Sequence, residues 1–280
     1  MKLNPLTPEE AAVIINKGTE RSFTGKFTDH TENGIYVCRQ CSRALYRSES
    51  KFKSSCGWPS FDEELPGAVK RLTDADGRRT EILCNYCDGH LGHVFEGENF
   101  TAKNTRHCVN SISMDFISGD KLERGIFASG CFWGTEYYLQ KIDGVLRARS
   151  GYIGGVKDDP GYEAVCTGKS GHAEAVEVLF DTDKTNFTDV AKLYFETHDP
   201  TQLNRQGPDM GTQYRSEIFF FSNQQKKIAE DLIEQLKGKG FDVVNKLSPA
   251  TNFWEAEDYH QNYYENKGQK PYCHIYQAKF

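Results

Sequence analysis

Two Cys-x-x-Cys pairs, Cys38 with Cys41 and Cys84 with Cys87, constrain this chain more than any other feature. Four thiolates so placed can surround one Zn²⁺ tetrahedrally, and a site closed by four ligands leaves no position for substrate, so its role is structural. The 42 residues between the pairs exceed zinc-ribbon spacing, so the metal would staple two hairpins distant in sequence. Four buried thiols, or a CxxC redox centre, are the competing readings of the same spacing. Cys56, Cys108, Cys131, Cys166 and Cys273 bring the total to nine. An odd count argues against complete disulfide pairing. The N-terminus has no apolar signal core, so the thiols point to metal binding and redox chemistry in the cytoplasm.

At 280 residues two cores are expected, because a single domain usually holds roughly 100–200 residues. The net charge of −6 is spread over both halves and leaves no basic patch for nucleic acid. No apolar run approaches the roughly 20 residues of a membrane span. Residues 1–118 read as mainly antiparallel β, in short runs such as GIYVC, RTEILC, GHVFEG and HCVNSISMDFI with Gly, Asn and Asp between them. Residues 119–124 form a short polar linker. Over residues 125–280 the pattern lengthens: a strand GIFAS, a helix from GCFWG, a strand HAEAVEVLF, a helix TDVAKLYFETH capped by Thr188, a strand SEIFFFS, a helix QQKKIAEDLIEQLKGKG and a last strand FDVVNKL. This order predicts an α+β plait with a ferredoxin-like βαβ arrangement.

Outside the two pairs, the thiols sit in distinct settings. Period-two alternation along HCVNSISMDF puts Cys108, Asn110, Ile112, Met114 and Phe116 on one face, with Arg106 two residues earlier on the same face. The guanidinium would favour a thiolate at Cys108; alone, Cys108 reads equally as an inert buried cysteine. Cys56, in SSCGWPSF, lies in a Gly/Pro turn. Cys131 falls between a strand and a helix, where unpaired N–H groups stabilise a thiolate, although GCxxG also serves as a tight-packing turn. Phe132 and Trp133 follow it as apolar walls. Glu174 shares strand parity with Val176, Val178 and Phe180, which predicts a carboxyl facing a core with its pKa raised.

CGWPSF, GHLGHVF and RHCVNSISM, with the two CxxC pairs, resemble methionine sulfoxide reductase B over residues 1–118. The resemblance implies Cys108 as nucleophile and Cys56 as resolving thiol. It also implies Trp58, His90, His93, Arg106 and Asn110 as substrate-site residues, and a fold of two sheets. GCFWG, GYEAVCTGKSGHAEAVEV, HDPTQLNRQGPDMGTQYRS and AEDYHQNYY are similar to methionine sulfoxide reductase A over about residues 125–273. Here the resemblance implies Cys131 as nucleophile, Glu174 as general acid and Cys273 as resolving cysteine. Phe132, Trp133, Tyr162, Asp209 and Tyr214 would form the substrate site. Cys166 stays without a role and reads as a buried structural thiol.

Together the resemblances imply a bifunctional peptide-methionine sulfoxide reductase that repairs oxidised proteins or peptides, one half acting on the R epimer and the other on the S, since each epimer needs its own enzyme. They imply one structural zinc per chain, thioredoxin as reductant, and neither nucleic-acid nor membrane partners. A monomer is expected. The alternative is a zinc-ribbon binding module fused to a disulfide oxidoreductase. It accounts for the CxxC pairs and redox cysteines, but it places no catalytic cysteine in a CxxC outside the clip.

Overall fold

The computed structural model describes residues 2–280, which divide into one unit ending at Leu122 and a second beginning at Glu123. Residues 119–124 hold a 3-10 turn, Gly119–Lys121, and the start of a strand at Leu122. Among the described residues no helix is long and apolar enough to cross a membrane.

The first unit opens with α1 (Pro8–Ile14), begun by a capping box between Thr7 and Glu10 with proline at the first helical position. There follow β1 (Gly34–Cys38), β2 (Ala44–Arg47), β3 (Lys51–Phe52), β4 (Ser60–Phe61), β5 (Val69–Thr73), β6 (Thr80–Cys84), β7 (His90–Glu96), β8 (Thr105–Val109) and β9 (Met114–Ser118). They form two antiparallel sheets, in the orders β2-β1-β9 and β3-β4-β8-β7-β6-β5. Tyr36, Tyr46 and Phe61 are fully buried, and the Tyr46 and Phe61 rings stack at 4.3 Å.

One expectation fails here. HCVNSISMDF is not a single strand: β8 ends at Val109, a 3-10 turn spans Ser111–Ser113, and Met114 begins β9 in the other sheet. Ile112, Met114 and Phe116 therefore do not continue the face of Cys108. Glu20 causes the break. Its carboxylate accepts the Ser111 and Ile112 N–H groups, while Asn110 Oδ1 accepts the Glu20 N–H at 3.1 Å. Backbone donors captured by a carboxylate are unavailable to a sheet ladder.

The second unit comprises β10 (Leu122–Ser129), α2 (Phe132–Leu139), β11 (Val145–Ile153), α3 (Tyr162–Cys166), β12 (Ala173–Asp181), α4 (Phe187–Thr197), β13 (Arg205–Gln206), β14 (Asp209–Met210), β15 (Ser216–Phe220), α5 (Asn223–Gly238), β16 (Lys246–Pro249), β17 (Trp254–Glu255) and α6 (Tyr263–Lys267). A six-stranded sheet runs β16-β15-β10-β12-β11-β17, and β13 and β14 form a separate hairpin. The unit is thus α+β. On one sheet face Phe127, Tyr152, Val176, Val178 and Phe180 form a core with Phe132 and Leu139 of α2, Tyr194 and Phe195 of α4, and Leu232 and Leu236 of α5. Ile126, Ala128, Ile153, Ala173, Ala175 and Phe219 make a smaller cluster, with Ala250 and Phe253 packed on it.

Two local readings are corrected and one strand is added. The cap of α4 is Asn186, whose Oδ1 accepts the Asp189 N–H at 3.0 Å. Starting there, and not at Thr188, places Phe187 in the first turn, where it is buried. The strand expected over FDVVNKL is Lys246–Pro249, because the Val244 N–H is taken by the Pro200 carbonyl before the chain reaches β15, and β17 follows it. Strand β11, absent from the expected order, carries Arg147 and Arg149 among its apolar residues, which masks it in the sequence. Arg149 pairs with Glu177 and Glu255, and Arg147 with Glu255.

Glu20→Ala should leave two backbone donors unmet and lower the stability of the first unit by about 2 kcal/mol. Denaturant titration of the full chain should show an earlier transition for that unit and an unmoved one for the second.

Candidate active sites and metal centre

The two CxxC segments fold identically. Cys38 N–H donates to Arg43 O and Ser42 N–H to Cys38 O; Cys84 N–H donates to Gly89 O and Asp88 N–H to Cys84 O. Ser42 and Asp88, the residues after each pair, both sit in the left-handed region, at φ 60° and 63°. The two turns bring Cys38 and Cys87 sulfurs to 3.6 Å, Cys41 and Cys84 also to 3.6 Å, and all four within 4.8 Å. A tetrahedron with zinc–sulfur bonds of about 2.3 Å has edges of about 3.8 Å, so the four thiols fit such an ion.

In the same unit, strand register assembles a row of side chains. Residues directly opposite on antiparallel strands share a face. Ser60 of β4 stands opposite Cys108 of β8, Cys108 opposite His93 of β7, and His93 opposite Glu81 of β6. Arg106 lies on this face beside Cys108, over the Phe95 ring at 4.5 Å, with both carboxylate oxygens of Glu98 at 2.7 and 2.9 Å. His107, one residue away, points to the core and meets Tyr46 Oη at 3.2 Å and Glu64 at 2.9 Å. His90 Nδ1 lies 2.7 Å from Glu81, and His93 Nε2 lies 2.8 Å from Asp74. Burial holds the His90 imidazole below its ordinary pKa despite Glu81. Trp58 donates its indole N–H to the Glu20 carbonyl at 3.2 Å. Asn110 is buried, its amide donating to Leu91 O at 3.1 Å, so both its ends hold backbone.

Cys56 and Cys108 come to 3.7 Å. Where the charge rests differs from the expectation built on Arg106. The Cys108 thiol lowers Cys56 to a pKa of about 4, helped by Ser54 and Ser60. Cys108 itself is pushed up, by Cys56 first and burial second, with Arg106 pulling only partly the other way. In the reduced pair the proton sits on Cys108.

The second unit holds the other thiol pair. Cys131 is the N-cap of α2 but makes no side-chain cap bond. Glu174 takes that task from across the sheet, Oε2 accepting the Phe132 N–H at 3.1 Å. The carboxyl is almost wholly buried, and burial raises its pKa to about 8. Gly130 makes the turn before Cys131 at φ 92°, where an added Cβ would lie 2.4 Å from Gln206 Cβ.

Cys131 is not the depressed thiolate that a helix start suggested. Cys273, burial and the charge of Glu174 push it well above the ordinary thiol range, outweighing the Trp133 N–H at its sulfur. Cys273 is lowered to about 5, chiefly by the Cys131 thiol and then by His274, whose Nδ1 is 3.1 Å from its sulfur. Asp209 is raised by burial and by Cys273, and it accepts a hydrogen bond from Tyr272 at 3.3 Å. Burial first, and then the charge of Glu174 among its neighbours, raises the Tyr214 phenol; burial and Cys166 raise that of Tyr162. Cys166, expected to be buried, is exposed and hydrogen-bonded to Tyr162.

Sequence reasoning missed the residues that frame this pocket. Trp133 stacks on Tyr263 at 3.6 Å and donates its indole N–H to His260 at 3.0 Å. Glu257 accepts the Tyr162 N–H and the Tyr152 hydroxyl, both at 2.9 Å. The stretch AEDYHQNYY carried a signal in its density of polar and aromatic residues, but no periodicity assigned a partner.

Comparison with known proteins agrees with this geometry. The family described as peptide methionine sulfoxide reductase matches residues 123–280, and the SelR domain matches residues 6–118. The peptide methionine sulfoxide reductase MsrA of Deinococcus radiodurans is 46% identical over 180 residues, covering 63% of this chain and 87% of that protein. Its counterpart in Acinetobacter baumannii strain AYE is 47% identical over 154 residues, covering 55% and 89%. The crystal structure of reduced Mxr1 from Saccharomyces cerevisiae aligns at a TM-score of 0.54 and 34% identity, over 57% of this chain and 94% of that one. These matches set aside a zinc-ribbon module fused to a disulfide oxidoreductase. The chain belongs to the peptide methionine sulfoxide reductases, joining an R-epimer reductase of the SelR (MsrB) type to an S-epimer reductase of the MsrA type in one polypeptide.

Proposed function

We propose that each unit reduces its epimer through a cysteine sulfenic acid and an internal disulfide, with Cys108 and Cys131 as nucleophiles and Cys56 and Cys273 as resolving thiols. The observation that carries the S-epimer site is the protonated, buried Glu174 held at the start of α2 beside Cys131. A sulfoxide sulfur attacked by Cys131 needs a proton for its oxygen, and Glu174 can supply it near neutral pH. The proton on Cys131 passes to Cys273, the ionised member of the pair. Phe132 and Trp133 would receive the methyl–sulfur end, and Tyr162, Asp209 and Tyr214 the oxygen and the peptide. In the first unit Cys56 takes the proton of Cys108, while Trp58, His90, His93, Arg106 and Asn110 form or support the substrate site.

Zinc in the four-thiol centre would brace the first unit through Cys38, Cys41, Cys84 and Cys87, supplying folding energy and no chemistry of its own. Thioredoxin suits the cycle as reductant, because each internal disulfide needs an external dithiol. A cytoplasmic monomer acting on oxidised proteins or peptides fits thiols that must begin reduced. For the second unit, the strand order β15-β10-β12-β11, in which the first strand of a βαββαβ run lies beside the last, supports reading it as a ferredoxin-like plait.

Cys131→Ser should abolish reduction of the S epimer and spare the R, and Cys108→Ser should do the reverse. An epimer-resolved assay checks this, and loss of both activities in one folded variant would refute the two-site assignment. Glu174→Gln should lower S-sulfoxide reduction by roughly 10²–10⁴-fold. Because the carboxyl pKa is raised, the wild type carries the proton below about pH 8 and loses it above. The variant should lack that alkaline decline in single-turnover rate. Metal analysis should find one zinc per chain, and Cys84→Ser or chelation should lower the unfolding transition of the first unit while leaving the second in place.

A further inference from the structure

The segment that carries Cys273 is fastened beyond the thiol. Downstream, Lys279 is buried with its ammonium on the Phe195 and His198 carbonyls at 2.6 and 2.8 Å, at the C-terminal end of α4, and Gln277 N–H donates to Glu196 O at 2.7 Å. Next to the thiol, His274 is fully buried. Its Nε2 lies 2.9 Å from the Ser129 carbonyl, with the Ser129 and Thr135 hydroxyls farther off at 3.5 and 3.4 Å. A carbonyl only accepts, so Nε2 carries a hydrogen and Nδ1 is the ring nitrogen left to exchange a proton with the tail. That nitrogen is 3.1 Å from Cys273 Sγ. The ring is seated on α2 at Gly134, where an added Cβ would lie 2.2 Å from Nδ1. The second glycine of GCFWG therefore leaves room for an imidazole from the far end of the chain.

We infer that His274 is the general base of the resolving step, taking the proton of Cys273 as its sulfur attacks the sulfenic acid on Cys131. The inference rests on Cys273 being the resolving cysteine. In the reduced enzyme the Cys131 thiol is the first reason that Cys273 is ionised. Once Cys131 has given up its proton and gained an oxygen, that donor is gone and the contact with His274 remains. The sulfur–oxygen bond of the sulfenic acid breaks as the sulfur–sulfur bond forms. The hydroxyl leaves as water with the proton lodged on the imidazole, so thiol plus sulfenic acid yield disulfide plus water with no outside oxidant. Other titratable groups facing this pair are Cys131 and Glu174 across the pocket, Asp209 from β14 and Tyr272 in the tail, with His198 behind the ring.

The test is single turnover of the full chain with the enantiopure S-sulfoxide and no reductant, following methionine release and thiol loss separately. His274→Gln can still reach the Ser129 carbonyl but lacks the base. It should release one methionine, accumulate a sulfenic acid trapped by dimedone, and form disulfide at least about tenfold more slowly at pH 7, where an unassisted thiol is only a few per cent ionised. The rate should recover by pH 9. Disulfide formation at the wild-type rate at pH 7, or slowing that is equal at pH 7 and 9, would overturn the assignment, the latter marking a packing role only. Cys273→Ser tests the underlying reading: normal thiol loss in that variant would remove Cys273 as resolver, whatever His274 does. Should the glutamine variant misfold, ¹⁵N NMR of the unmutated protein decides, since a neutral His274 protonated on Nδ1 is incompatible with the proposal.

Discussion

The hydrogen bond from the Phe132 amide to Glu174 ties the central sheet to the helix that presents Cys131. A helix start leaves amide donors without partners, and a buried carboxyl loses hydration; each group meets the need of the other. The bond also fixes where β12 meets α2, so Phe132 packs against Tyr152 and the core below while Cys131 faces the pocket. One donor does not restore the carboxyl to its ordinary acidity. Structural closure and an available proton thus come from the same contact.

The first unit reaches comparable chemistry with no helix at its centre. A row across β4, β8, β7 and β6 aligns Ser60, Cys108, His93 and Glu81 by register alone. A slip of one residue would turn every member of the row to the core. The alternation His107 in, Cys108 out depends on that register, and the Tyr46 and Glu64 contacts of His107 help to hold it. In both units two thiols in contact shift each other in opposite directions, the more buried one up and its neighbour down.

Much of this was legible along the chain because it is encoded at short range. The CxxC spacing names four clustered thiols, and strand parity alone puts Glu174 on the core face with Val176 and Val178. The pair of turns ending at Ser42 and Asp88 follows from the same local motif. What stayed hidden depends on partners far away in sequence. Glu20 ends β8 from about 90 residues upstream, and His274 lies on Gly134 from the other end of the domain. The ionisation of each cysteine pair was misread for the same reason. Arg106 and the helix start are sequence neighbours of Cys108 and Cys131, whereas the second sulfur of each pair arrives by folding. Cys166 went astray because the short helix α3 turns Tyr162 and Val165 to the core and leaves Cys166, its last residue, exposed.

The unequal exposure of Cys131 and Cys273 bears on how a disulfide between them would be undone. Cys131 is only 7% exposed, whereas Cys273 is half-buried on the tail. Thiol exchange is in-line, and the sulfur that is reached becomes bonded to the incoming reductant while the other departs. A bulky dithiol protein would meet Cys273 first. The departing group would then be Cys131, released on the buried side, while the mixed disulfide would form on the outside where a second thiol can cleave it. Depth of burial would in this way give the proposed cycle a direction that sulfur chemistry alone does not.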